Sequence, residues 1–117
     1  DPIFDFCAPA MAASDQVLKE KPDAVRHFLQ VLDRAYQEVA KEPEKTVLEV
    51  RDLLPQDATD SLLIRSQKHL APILLDQNGH WGRIDALRWN RMADFLVENG
   101  VISKRRDREY TNEYFTL

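Results

Sequence analysis

The stretch "NGHWGRIDALRWNRMADFLVENGVI", residues 78–102, holds both tryptophans of the chain beside an apolar helical stripe. Asn78-Gly79 reads as a turn. Asp85 is placed to cap a helix. Trp89, Met92, Phe95, Leu96 and Val97 then recur at helical steps and form its inward face. Asn99-Gly100 ends the helix, because glycine takes the left-handed conformation that a helix C-terminus requires. Val101 and Ile102 are expected to pack back. Trp81 precedes the helix and is expected to fold over its start as an aromatic clasp. The alternative role for the tryptophans is an aromatic wall for a planar ligand.

Upstream, the same period repeats. Ser14-Asp15 can cap a short helix over Gln16 to Lys21. Pro22 suits the first turn of the next. Val25, Phe28, Leu29, Leu32, Ala35, Tyr36 and Val39 then mark an amphipathic helix from Pro22 to Lys41. Its outer face carries Arg26, Gln30, Asp33, Arg34 and Glu38. Glu42-Pro43 starts a third helix with Val47, Leu48, Val50, Arg51 and Leu54 inward, ending at Pro55. Asp57 or Thr59 caps a fourth, with Leu62, Leu63, Gln67, Leu70 and Leu74 inward. Pro72 kinks or terminates it.

The opening "IFDFCAPAMAAS", Ile3 to Ser14, is the one strand-like segment, and Pro9 interrupts it. A single strand cannot satisfy its own backbone hydrogen bonds, so an absent sheet partner is expected. The fold class is therefore mainly α: one N-terminal strand over 1–14, about five helices over 15–103 and a docked tail over 104–117, forming a single unit.

The chain has 117 residues and a net charge of -4. Its one basic run, Lys104-Arg105-Arg106, lies among Asp107, Glu109 and Glu113 and reads as solvated loop charge. A nucleic-acid partner is not expected from this pattern. No apolar run approaches a membrane span. With one cysteine, Cys7, no intrachain disulfide can form.

Chemistry-bearing patterns are sparse. His27, His69 and His80 do not repeat a metal-ligand spacing, so no metal is expected. Cys7 with a distant histidine would make a nucleophile pair, but a small buried thiol is the reading favoured. No G-x-S-x-G is present, and the few glycines build no phosphate-cradling loop. No carboxylate pair is singled out for acid–base work. Neither catalysis nor a cofactor is expected.

The order of segments resembles a known family. "DFCAPAMAAS" precedes "SDQVLKEKPDAVRHFLQVLDRAYQEVAKEPEKTVLEV", which carries proline junctions at Lys21-Pro22-Asp23 and Glu42-Pro43-Glu44. Trp81-Gly82-Arg83-Ile84-Asp85 leads through Trp89, Ala93, Asp94, Phe95 and Leu96 to Gly100 and Ile102, and Thr111 to Tyr114 closes the pattern. Together these resemble the C-terminal part of the NMT1/THI5-like group. Its members include binding proteins for thiamine pyrimidine precursors, alkanesulfonates and nitrate that serve ABC importers.

That resemblance implies a fragment of a two-lobe α/β fold of the type II periplasmic-binding kind. The N-terminal lobe and most of the second lobe's sheet would lie outside this chain, and residues 1–14 would form a lobe-crossing strand. Phe4, Asp5, Phe6 and Cys7 would then be the residues nearest a ligand. The implied function is non-catalytic capture of a planar pyrimidine or sulfonate and delivery to an ABC permease. The implied location is periplasmic or lipid-anchored outside the cytoplasm. Pyrimidine-precursor synthases belong to the same resemblance and give an enzyme alternative. A standalone helical interaction module is a third. An isolated chain would expose an apolar face, with dimerisation as a consequence.

Overall fold

The computed structural model describes residue 5 and residues 10–115. Among these it is helical without a strand: α1 (Asp15–Glu20), α2 (Pro22–Lys41), α3 (Pro43–Glu49), α4 (Asp60–Leu70) and α5 (Ala86–Glu98). Two short 3-10 turns, Arg51–Leu53 and Ala71–Ile73, follow α3 and α4. The strand expected over Ile3 to Ser14 is not formed at Asp5 or at residues 10–14, and its remaining positions, Phe4, Phe6 and Cys7 among them, lie outside the described residues.

Local chemistry sets the helix starts. Ser14 caps α1, its hydroxyl accepting from Val17 N–H at 3.2 Å. Pro22 and Pro43 occupy first turns, where a missing N–H costs nothing. Of the two candidate caps for α4, Thr59 does the work, accepting from Leu62 N–H. Asp85 caps α5 through Arg88 N–H at 2.8 Å.

The helix ends follow the same logic, with one difference. The third helix stops at Glu49 and tightens into a 3-10 turn, short of the expected end at Pro55. Pro72 sits in the 3-10 turn that ends α4. Beyond α5, Gly100 takes φ 68°, its N–H donating to Val97 O and Val101 N–H to Leu96 O. This double closure satisfies carbonyls that the helix leaves unpaired. The backbone of Val101 and Ile102 does fold back onto Leu96, but their side chains stay exposed.

The contacts group into two compact units. One comprises Asp1–Arg26 with Arg83–Leu117, and the other His27–Gly82. Among the described residues each unit buries one apolar side chain: Ala93 of α5 in the first and Val47 of α3 in the second. In the second unit α3 packs on α4.

Several expected inward residues are exposed. On α2, Val25, Leu29, Leu32, Tyr36 and Val39 are half-buried as the period requires, whereas Phe28 and Ala35 face solvent. Asp33 and Gln30, expected outside, are half-buried, as is Arg26. The covered face is therefore rotated toward Asp33. On α3 and the turn after it, Leu48 and Val50 are exposed. On α4, Leu62 and Leu70 are exposed while Leu63, Ile64, Gln67 and Leu74 are half-buried. Hydrophobicity alone cannot choose between adjacent faces of an apolar-rich helix; the neighbouring element does.

Candidate functional site

Asp33 organises the second unit. One carboxylate oxygen accepts the backbone N–H of Trp81 at 2.7 Å, and the other meets His80 Nδ1 at 2.9 Å. The partners are 48 and 47 residues away in sequence. Burial raises the Asp33 carboxyl, but the bonds from Trp81 N–H, His80 and Gln37 outweigh it and hold it below its ordinary value.

The loop that meets Asp33 is closed on itself first. Asp76 Oδ1 accepts the N–H groups of Asn78 and His80, and Asp76 N–H donates to His80 O at 2.8 Å. Gly79, at φ 80°, makes the turn possible. This presents His80 and Trp81 side by side. Trp81 then lies on Tyr36 with ring centroids 4.3 Å apart and 3° between the planes. The ring partner of Trp81 is thus Tyr36 of α2, where the start of α5 was expected.

The histidine in this set is oriented by a carboxylate, which suits the tautomer with hydrogen on Nδ1. The groups gathered around it here are a backbone amide and a ring stack, so the geometry is that of an anchor.

The first unit has its own polar hub, at a residue read as solvated charge. Arg105 forks across Asp94, Asn90 and both oxygens of Glu109. Glu109 also accepts the indole N–H of Trp89 at 3.0 Å and the backbone N–H of Arg106. Arg105 foremost, then Arg106 and Trp89, hold the Glu109 carboxyl down to about 2. The same carboxylates push the Arg105 guanidinium further up. A planar guanidinium suits this fork in a way an ammonium does not. Trp89 also meets Tyr110, with centroids 5.3 Å apart.

Asn112, in the segment after α5, binds the backbone before it. Asn112 Oδ1 accepts Ile84 N–H, and Asn112 Nδ2 donates to Ile84 O, both at 2.9 Å. This side chain imitates a strand neighbour, satisfying both backbone groups of one residue. The ring of Tyr114 takes the Arg26 guanidinium at 5.4 Å.

Of the four residues implied near a ligand, Asp5 alone is described. It is exposed and pairs with Arg88 of α5: Asp5 Oδ1 lies 2.7 Å from the guanidinium, and Asp5 O accepts from Arg88 Nε. Phe4, Phe6 and Cys7 lie outside the described residues. Among the described residues no three metal-ligating side chains converge, and no helix is long and apolar enough to cross a membrane. The hollow beside Glu42, Leu48, Glu49 and Lys68 is an open surface groove.

Residues 1–46 match the family model described as NMT1/THI5 like. Over that stretch the chain is similar to the NMT1/THI5-like family. It is also similar to a 4-amino-5-hydroxymethyl-2-methylpyrimidine phosphate synthase of Candida albicans (strain WO-1), being 26% identical over 114 residues. That alignment covers 95% of this chain and 31% of the relative. The chain therefore spans about a third of the length of the curated relative it matches.

Sequence reasoning missed Asp33 and Arg105. A charged residue on the edge of an apolar helix face is ordinary on its own. Its meaning comes from an N–H and an imidazole delivered from a distant loop, and no spacing rule encodes that.

Proposed function

We propose that this chain is the C-terminal part of a protein that handles a pyrimidine precursor of thiamine, and that the protein makes the precursor as a synthase. One observation carries the choice of synthase: the similarity, across 95% of this chain, to a protein named as a pyrimidine phosphate synthase. Within such a protein this chain acts as scaffold. Its aromatic residues support that role, because Trp81 is stacked on Tyr36 while Trp89 is tied to Glu109 and Tyr110.

The exposed apolar faces support a larger assembly of the same polypeptide. Leu53, Ile73 and Leu87 are 85%, 74% and 75% exposed. Side chains of this kind are expected to be covered by the lobe of a two-lobe α/β fold. Asp5, with Phe4, Phe6 and Cys7 beside it in sequence, would mark the approach to the ligand in that fold.

A second reading is an extracytoplasmic solute-binding component of an ABC importer. The NMT1/THI5-like match at residues 1–46 is its support. It would capture a planar ligand between lobes without changing it.

The two readings separate on the full-length gene product. Mass spectrometry after purification and incubation would look for newly formed pyrimidine phosphate. Its formation, abolished by denaturation, supports the synthase. Tight, reversible uptake of the free pyrimidine with no product would replace it with the binder.

A further inference from the structure

We propose that Asn78 is a site of spontaneous covalent modification, namely deamidation through a cyclic imide. Asn99, also followed by glycine, is protected by its surroundings.

The step needs water and no other reactant. The backbone nitrogen of Gly79 gives up its proton to solvent base and attacks Asn78 Cγ. A C–N bond forms, the Cγ–Nδ2 bond breaks, and ammonia leaves. Water then opens the imide. Opening at the side-chain carbonyl leaves aspartate, and opening at the main-chain carbonyl leaves isoaspartate. Nothing is oxidised or reduced.

The chain has four asparagines, at 78, 90, 99 and 112. Asn90 and Asn112 precede Arg91 and Glu113, whose side chains crowd the attacking nitrogen. Asn112 is further held at both side-chain atoms by Ile84. Asn78 and Asn99 each precede a glycine, which has no side chain to obstruct attack. Their environments differ. Asn99 Nδ2 donates to Phe95 O at 2.9 Å, so its carboxamide is held back along α5. The exposed Asn78 side chain has no such bond among the described residues. Gly79 N–H is restrained by Asp76 O alone, within a solvent-exposed turn.

The consequence falls on the anchor at Asp33. Isoaspartate at 78 adds a backbone carbon to the turn that sets the spacing from Asp76 to His80. His80 and Trp81 can then no longer both meet Asp33 and Tyr36.

The test is to age the purified chain at mildly alkaline pH and quantify aspartate and isoaspartate at both positions by peptide mapping. Position 78 is expected to convert at least about fivefold faster than 99, the factor one net hydrogen bond contributes to an opening equilibrium. The isolated isoaspartate-78 fraction should lose the near-ultraviolet circular dichroism of the Tyr36–Trp81 stack. Asn78→Gln should abolish conversion at 78 while keeping that spectrum, since its longer side chain disfavours the ring. Equal rates at 78 and 99, faster conversion at 99, or an intact stack in the isoaspartate fraction would overturn the proposal.

Discussion

The indole of Trp81 lies face to face with the phenol of Tyr36, 3° from parallel and 4.3 Å away. Their sequence separation makes this a tertiary contact, and it fixes the loop after α4 onto α2. Aromatic pairs contribute about 0.5–1.5 kcal/mol beyond the area they bury. A double-mutant cycle of Tyr36→Ala and Trp81→Ala, read by urea denaturation, should return a coupling of about 1 kcal/mol. Additive single losses would show that the rings are neighbours without coupling.

Asp33 holds the same loop through charge. Asp33→Ala leaves Trp81 N–H and the His80 ring without their acceptor. A loss of about 2 kcal/mol is expected, since hydrogen bonds to a charged group are worth more than neutral ones. Asp33→Asn keeps an oxygen for Trp81 N–H and should lose about half as much. Equal losses for the two variants would assign the effect to packing.

Acid should weaken the first unit through Glu109. Its folded pKa is lowered to about 2 from an ordinary 4.5. The stabilisation it supplies is thus complete above the ordinary value and disappears as pH falls toward 2. Glu109→Gln should flatten the stability–pH curve across that window and leave it sloped by other carboxylates elsewhere. Trp89 emission gives the local readout, because its indole N–H donates to the same carboxylate. An unchanged slope in Glu109→Gln would refute the assignment.

The tail depends on Asn112. Asn112→Ala removes both bonds to Ile84, for a cost of about 2 kcal/mol at roughly 1 kcal/mol each. Asn112→Asp should be worse, because it sets a carboxylate oxygen against Ile84 O. Limited proteolysis after Arg105 and Arg106 would report release of the tail. Resistance equal to that of the parent chain would mean that other contacts suffice.

Leu53 and Ile73 are nearly bare. Leu53→Gln and Ile73→Gln should change the stability of the isolated chain by less than about 0.5 kcal/mol, as surface changes do. They should improve its solubility, and in the full-length protein the same changes should destabilise. Light scattering on the chain and thermal melts on the whole protein would compare the two. Neutral effects in both would remove the case for covered faces.

Much of the helical architecture follows from neighbouring residues, and so it was legible in the sequence. Pro22 and Pro43 begin helices, Ser14, Thr59 and Asp85 cap them, and Asn99-Gly100 closes the last. Each rests on interactions within a turn or two, so spacing and side-chain chemistry suffice. The faces were harder. Phe28 and Leu62 look as apolar as Leu29 and Leu63, and which is covered depends on what packs alongside.

The sequence by itself determined where the helices begin, where most of them end, and which residues could serve as caps. Tertiary structure alone decided that Asp33 would meet His80 and Trp81, that Trp81 would choose Tyr36, and that Arg105 would bind Glu109, Asp94 and Asn90 where solvated charge was expected. The reason is physical. A cap satisfies a backbone donor a few residues away and needs no other part of the chain. A carboxylate or guanidinium gains its partners when folding brings distant donors and acceptors within hydrogen-bond reach, and that proximity is a property of the packed chain.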